Sequence, residues 1–277
     1  MWRACLLTGV IALFGGLSAP DPINPDPDSP RPIDAPDTVF TEEMTWMEIR
    51  DAMRAGKTTV IVATGGVEQN GPYLVTGKHQ IVLRGLTEAI ARKLGNALVA
   101  PLIPFVPEGD IDPPTMHMKY PGSISLTEDT YRALLIDILS SMKANGFTDI
   151  VLIGDSGGNV DGMKAVSEQL NEKWKGGKTR LHYIPEFYNY GDVVKFLENE
   201  GIMQEDEGYH DDFGMTAMML TFNPESVRTK QRIDADKFRI NGIELAPVDK
   251  TKAWGQKVID FRTNVAVNAI QKSIGGK

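Results

Sequence analysis

Apolar residues along the chain alternate between short unbroken runs and longer segments with helical spacing. Residues 58–63 (TTVIVA) and 149–153 (DIVLI) are continuous apolar runs rich in β-branched side chains, and residues 181–184 form a third, shorter run. Runs without polar alternation are typical of strands that are buried on both faces of a sheet. The sequence therefore predicts at least three buried strands.

Helical spacing fills the segments between these strands. Thr45 and Glu48 match a capping box and predict a helix that ends before Gly56. The clearest helix starts near Thr127 and ends at Gly146, with apolar residues recurring at intervals of three and four. The same spacing predicts further helices over 83–94, 160–174 and 262–271. This alternation of strands and helices predicts an α/β domain, with a mostly parallel sheet covered by helices on both faces.

The first 38 residues have a different character. Residues 1–19 begin with a charge at Arg3, continue as an apolar stretch and end in Leu-Ser-Ala, the order of a secretory signal peptide. Residues 20–38 contain seven of the 17 prolines and several aspartates, which predicts an extended linker. We therefore expect a secreted or periplasmic protein whose α/β domain covers residues 39–277. A retained membrane anchor is the alternative, although the apolar stretch is short for a membrane span.

Composition removes several classes of function. The 277 residues carry 29 Lys and Arg against 37 Asp and Glu, so the formal charge is −8 and a nucleic-acid partner is not expected. Cys5 is the one cysteine, which excludes a disulfide framework and a cysteine-ligated zinc site. After removal of the signal peptide we expect no stable insertion into a membrane. The favoured partner is then a small-molecule substrate.

Polar and glycine-rich segments follow the predicted strands at the ends where parallel sheets bind ligands. Residues 65–79 follow the first strand, a loop containing His117 follows the next apolar run, and residues 154–159 (GDSGGN) follow DIVLI. A fourth polar cluster, His210-Asp211-Asp212, lies in a region whose secondary structure the pattern does not assign. We expect these segments to meet at one edge of the sheet.

Together these segments resemble the creatininase (creatinine amidohydrolase) family. The similar stretches are EQNGPYLVTGKH at 68–79, HMKYPGSISL at 117–126, GDSGGN at 154–159 and HDDFGMTAMML at 210–220. Trp46 and residues 241–256 are also similar to family features, so the resemblance covers about residues 40–275. It implies a three-layer α/β sandwich, often assembled as a hexamer. It also implies hydrolysis of C–N bonds in small amides by two zinc or manganese ions that activate water.

The metal ligands that the resemblance implies are mostly replaced in this chain. The first family glutamate is Glu68, but the histidine two residues later is Asn70 and the bridging aspartate is His79. The histidine of the third motif is Ser156, and the late glutamate is Met215. An imidazole cannot bridge two metals as a carboxylate does, and an amide or thioether is a poor zinc ligand. The sequence therefore predicts at most one divalent metal, zinc or manganese, held by Glu68 and His79.

The remaining candidate residues receive roles around that metal. Asp155, His210 or Asp212 would complete the ligand shell or act as the base, because each offers a nitrogen or oxygen donor. Ser156 would contact the substrate and is also a candidate catalytic residue, and His117 would orient the substrate. The other predicted substrate-binding residues are Asn70, Gly157, Gly158 and Asn159.

Two other readings of the same residues stay open. Residues 154–158 also fit the G-x-S-x-G nucleophile elbow, with Asp192 and His210 following in the order of a serine hydrolase triad. Alternatively the chain is a catalytically silent small-molecule-binding or scaffold protein on the same fold. The preferred function is a metal-dependent amidohydrolase.

Overall fold

The computed structural model describes residues 23–188 and 190–276. The α-helices of this part are α1 Trp46–Arg54, α2 Lys78–Leu94, α3 Glu128–Ala144, α4 Val160–Lys173, α5 Tyr190–Asn199, α6 Phe213–Phe222, α7 Thr229–Asp234 and α8 Val248–Gly275. The strands are β1 Thr59–Thr64, β2 Ala97–Val99, β3 Asp149–Gly154, β4 Arg180–Tyr183, β5 Arg239–Ile240 and β6 Ile243–Glu244.

Four strands form one parallel sheet in the order β2-β1-β3-β4. The central pair is in continuous register from Thr59 opposite Asp149 to Thr64 opposite Gly154. Parallel pairing of neighbouring strands requires a crossover, and α2, α3 and α4 supply the crossovers here. The carboxyl ends of all four strands therefore lie at one edge. Strands β5 and β6 form a separate antiparallel pair.

The core has two parts, one on each face of the sheet. Alternate residues of β1 point to opposite faces, so that Ile61 packs with α2, α5, α6 and α8, whereas Val62 packs with α3 and α4. All six residues of β1 are buried, as the unbroken apolar run predicts. The prediction of a mostly parallel sheet inside a three-layer α/β sandwich is confirmed.

Most predicted elements are present, and the differences lie in the C-terminal third. The capping box at Thr45 is formed in both directions, and Thr127 caps α3 as predicted. The closing helix starts at Val248 rather than near Arg262, because Gly255 and the charged residues around it hide the helical pattern. A side chain at Gly255 would meet the Ala217 carbonyl oxygen at 2.1 Å, so this glycine lets α8 pack directly on α6.

The N-terminal residues form a unit of their own, which ends at Asp34. Its described part, residues 23–34, contains no helix or strand and is mostly exposed. The predicted signal peptide, residues 1–19, lies outside the described residues, as does the start of the predicted linker. Within the described ranges, no helix is both long enough and apolar enough to cross a bilayer.

Candidate functional site

The loops that follow the strands converge on one cavity of about 960 Å³. The residues that line it include nine of the predicted site residues, namely Glu68, His79, His117, Asp155, Ser156, Gly157, Gly158, His210 and Asp212. The topological expectation that these segments meet at the carboxyl edge of the sheet is confirmed. The volume lies in the range of ordinary small-molecule sites.

A line of buried charged side chains forms the base of this cavity. His79 lies in the first turn of α2, and its Nε2 is 2.8 Å from Glu68 Oε1 while its Nδ1 is 2.8 Å from Asp155 Oδ2. Arg262 of α8 donates to the other oxygen of Asp155 at 2.7 Å, and the Tyr190 hydroxyl donates to it at 3.0 Å. Both ring nitrogens of His79 therefore face a carboxylate oxygen at hydrogen-bonding distance.

Paired cations keep the two buried carboxylates ionised. Burial alone would raise the pKa of Glu68, but His79 and the Lys78 ammonium, 3.0 Å from Oε1, outweigh it and hold the pKa below its usual range. Burial would likewise raise the pKa of Asp155, and the charge of Arg262 together with His79 lowers it instead. Glu68 thus presents a fixed negative charge to the cavity.

Glu108 is a third buried carboxyl group, and its pKa is shifted in the opposite direction, upwards. Burial, followed by the neighbouring negative charge of Glu68, raises the pKa of Glu108 to about 9. The Ser156 hydroxyl is 3.3 Å from Glu108 Oε2. A side chain at Gly66 would meet Glu108 Oε1 at 1.9 Å, so the glycine makes room for this carboxyl group. Glu108 consequently carries a proton at neutral pH.

Three side chains that can bind a metal, Glu68, His117 and His210, lie close together in the cavity. Ligand atoms of Glu68, His117 and His210 all lie within 4.8 Å of one another. His117 Nε2 is 3.3 Å from Glu68 Oε2, and its ring stacks on that of His210 with 4.5 Å between the centroids. Burial and the positive charge of Lys78 lower the pKa of His210 to about 4, so its ring is neutral and can donate a lone pair.

These three residues fit a single divalent metal. One carboxylate and two imidazoles form a donor set that catalytic zinc uses, with a further coordination position left for water or substrate. His117 Nδ1 lies 3.5 Å from the Gln69 amide nitrogen, which leaves Nε2 directed at Glu68. Within the described part of the chain, Glu68, His117 and His210 are the one group of three such donors.

Asn70 and Asn159, two of the predicted substrate-binding residues, hold loops together and do not line the cavity. Asn70 donates to the backbone oxygens of Glu68 at 2.9 Å and Val75 at 3.1 Å. Asn159 donates at 2.7–3.1 Å to Thr64 and to Gly65 O, so that it ties the end of β1 to the loop after β3. Both side chains support the site from outside the cavity.

Asp212 has two structural roles. It lines the cavity, and its Oδ1 accepts a hydrogen bond from Met215 N at 2.7 Å as the N-cap of α6. This bond is a helix-capping interaction that also fixes the preceding His210 segment.

The sequence analysis missed four residues of the site: Lys78, Glu108, Tyr190 and Arg262. Lys78 directly precedes His79 at the start of a helix. The sequence alone could therefore have indicated a cation next to the first site motif. Glu108 lies in an irregular loop and Arg262 lies about a hundred residues after its partner Asp155, so no local spacing links them to the motifs.

Comparison with known proteins identifies the family of the chain. The family profile described as creatinine amidohydrolase matches residues 42–266. The chain belongs to the creatininase family. It is 22% identical to creatinine amidohydrolase of Pseudomonas putida over 222 residues, which is 78% of this chain and 84% of the relative. It is also 22% identical over 125 residues to the 3-dehydro-scyllo-inosose hydrolase of Thermotoga maritima, covering 45% and 38% of the two chains.

Solved creatininase structures share the fold. A Zn–Zn form of a creatininase variant superposes with a TM-score of 0.61 at 20% identity, covering 86% of this chain and 98% of that one. A manganese form gives 0.61 at 19% identity, and a variant complexed with creatine gives 0.60 at 20%, each covering 85% of this chain and 98% of the other. At this identity the superpositions establish the creatininase fold.

Proposed function

We propose that this chain is a creatininase-family hydrolase that cleaves a small amide with one divalent metal held by Glu68, His117 and His210. The observation that carries the proposal is the convergence of these three donors within 4.8 Å at the wall of a 960 Å³ cavity. The zinc and manganese forms of the related structures favour one of these two metals. This ligand set differs from the pair predicted from the sequence, Glu68 and His79, because both ring nitrogens of His79 contact carboxylate oxygens.

A metal in this position would activate water and polarise an amide carbonyl. The side chains around it have separate tasks. His79, fixed by Asp155, orients Glu68 through the bond to Oε1 and leaves Oε2 turned towards His117. Glu108 holds a proton on its carboxyl group next to Ser156 Oγ, where hydrogen-bond donors can contact the amide group of a substrate.

The contacts of Ser156 argue against a serine nucleophile. Its hydroxyl faces the Glu108 carboxyl group, and within the described ranges no histidine hydrogen-bonds to it. A nucleophilic serine needs a base within hydrogen-bond reach, and a carboxyl group that carries a proton cannot accept another.

A catalytically silent binding protein is the second candidate, and Lys78 is the observation in its favour. The Lys78 ammonium already lies 3.0 Å from Glu68 Oε1 and supplies positive charge where a metal would compete for the same carboxylate. In that case the cavity binds its small molecule without metal and without turnover.

Metal loading and hydrolysis distinguish the two candidates. Purified protein is stripped with chelator, loaded with zinc or manganese, and analysed for metal content and for hydrolysis of unsubstituted and substituted amides. We expect one metal per chain, and His117→Ala and His210→Ala are expected to weaken metal binding by at least about tenfold. His182→Gln is the matched control, because His182 bonds to Ser273 and Asp149 away from the cavity. Absence of metal binding together with absence of amide hydrolysis would favour the silent protein.

The cellular setting is part of the proposal. We propose that residues 1–19 direct export and that the domain acts outside the cytoplasm. We also propose that it assembles as a homo-oligomer, with the hexamer of the family resemblance as the expected form.

A further inference from the structure

The open side of the cavity is apolar, in contrast to its charged base. Four large side chains line it while remaining exposed: Ile111 by 53%, Met116 by 68%, Tyr188 by 37% and Tyr209 by 52%. We refer to these four residues as the apolar rim. Large apolar side chains grouped at a cavity mouth indicate an interaction with a ligand rather than a contribution to folding. A small unsubstituted amide would leave the rim, and most of the 960 Å³, unused.

The loop that carries Ile111 and Met116 is closed by its own hydrogen bonds. Asp110 N donates to Thr115 Oγ1 at 2.7 Å, and Thr115 N donates to Asp110 O at 3.1 Å. Gly109 has φ +131, and a side chain there would meet Thr115 O at 2.4 Å, so the base of the loop admits only glycine. The loop is therefore held in a defined shape, with Ile111 lining the cavity.

Met116 is held in an unfavourable backbone conformation at the end of this loop. Its φ is +44, in the left-handed region that costs a residue with a side chain about 1 kcal/mol or more. Its side chain is 68% exposed, so burial in the folded protein offsets little of that cost. Backbone strain that turns an apolar side chain towards a cavity is a feature of ligand-binding positions.

The two tyrosines connect the rim to the polar site. The Tyr188 hydroxyl lies 3.2 Å from the position of a side chain at Gly157, and the ring packs edge-on against Tyr190 at 5.2 Å. Tyr209 immediately precedes His210 in sequence, so the apolar rim adjoins one of the three proposed metal donors. A ligand that extends from the donors within this cavity can therefore contact these rings.

We propose that the substrate is an amide with an apolar alkyl or aryl substituent, which lies on the apolar rim while the amide lies at Glu68, His117 and His210. This proposal rests on the proposed function and extends it to the substrate class. The continuity of the rim with the donor cluster makes a substituent of the substrate, rather than a protein partner, the expected occupant.

The test compares binding of acetamide, N-benzylacetamide and 2-phenylacetamide by isothermal titration calorimetry, with both metal-free and zinc-loaded protein. The phenyl-bearing amides are expected to bind on the order of tenfold more tightly than acetamide in both forms, because burial of the ring does not need the metal. Met116→Ser and Ile111→Ser are expected to remove most of this gain. Ile233→Ser, an exposed isoleucine outside this cavity, is the matched control and leaves the gain unchanged.

Equal affinities for the three amides would overturn the proposal, even if the zinc-loaded protein hydrolyses acetamide and the proposed function stands. Conversely, a ring-dependent gain in binding without any hydrolysis would support the apolar rim and contradict the hydrolase. If the serine variants change the sedimentation coefficient of the protein and the amide series stays flat, the rim is a contact between copies of the chain and the proposal is wrong.

Discussion

At the scale of single residues, His79 determines what the site can bind. It lies between Glu68 and Asp155 at 2.8 Å from each and acts as a hydrogen-bonding link between two carboxylates. The proposed metal donors are Glu68, His117 and His210, which come from three separate segments of the chain. The sequence predicted that Glu68 and His79 lie together, and they do. The stacking of His117 on His210 could not be predicted, because it depends on how distant loops fold.

Glu108 provides a test of the site's electrostatics. Its pKa of about 9 lies above the ordinary value of 4.5, so the folded protein retains a proton that the unfolded chain releases between these pH values. Stability from this group therefore falls as pH rises through that window. In metal-free protein, Glu108→Gln is expected to raise the free energy of unfolding by about 1 kcal/mol or more at pH 8 and by less at pH 5.

Urea unfolding at the two pH values measures this difference. The exposed Glu168→Gln in α4 is the control, and it is expected to shift the midpoint equally at both pH values. A Glu108→Gln variant that is less stable than the parent at pH 8 would show that the carboxyl group is ionised and paired.

Ser156 gives a second prediction at this scale. Because its hydroxyl faces Glu108 and has no basic partner among the described residues, a fluorophosphonate probe is expected to leave it unmodified. Intact-mass analysis after incubation measures the result. Stoichiometric addition that disappears in Ser156→Ala would restore the serine hydrolase interpretation.

At the scale of elements, strong periodicity made most of the fold predictable, and its absence explains what was missed. Strands β1 and β3 are buried on both faces and appear in the sequence as unbroken apolar runs. Helix α6 is buried around almost its whole circumference, so FGMTAMMLTF shows no amphipathic pattern. Short β5 and β6 leave no signal at two residues each. The loops around His210 were therefore the least predictable part of the site.

Arg262 links helix α8 to the site through a buried ion pair. Its Nη2 lies 2.7 Å from Asp155, and both side chains are nearly inaccessible to solvent. Arg262→Met is expected to destabilise the protein by about 3–5 kcal/mol, because it leaves a buried carboxylate without its cation. Lys257→Met in the same helix removes an exposed pair with Glu200 and a cation–π contact with Trp254, and is expected to cost about 1 kcal/mol.

Chemical denaturation of the two variants gives these values. Adding Asp155→Asn to Arg262→Met is expected to recover part of the loss, because the unpaired charge is then removed. A loss for Arg262→Met no greater than that for Lys257→Met would mean that the ion pair does not hold α8 to the site.

At the scale of the whole molecule, the family match over residues 42–266 covers the α/β domain and leaves out the N-terminal unit. The seven prolines of residues 20–38 and the apolar stretch before them lie outside the residues that the family profile matches. The formal charge of −8 agrees with a domain that binds a small molecule rather than nucleic acid. The N-terminal segment is thus expected to determine location rather than chemistry.

Export is tested by the N-terminus of the protein isolated from its host. Cleavage after Ala19 is expected to leave a mature chain that begins near Pro20 and lacks cysteine. Mass spectrometry of the N-terminal peptide from the extracytoplasmic fraction measures this. Intact Met1 on protein recovered from the cytoplasm would contradict export.

The single metal site is the central claim, and anomalous X-ray scattering at the zinc absorption edge tests it most directly. In crystals of zinc-loaded protein we expect one anomalous peak, about 2.0–2.2 Å from an oxygen of Glu68 and from ring nitrogens of His117 and His210. His79 is expected to stay between Glu68 and Asp155 without contacting the metal. A peak coordinated by His79, a second peak beside the first, or no peak at these residues while Lys78 remains bound to Glu68 would contradict the account.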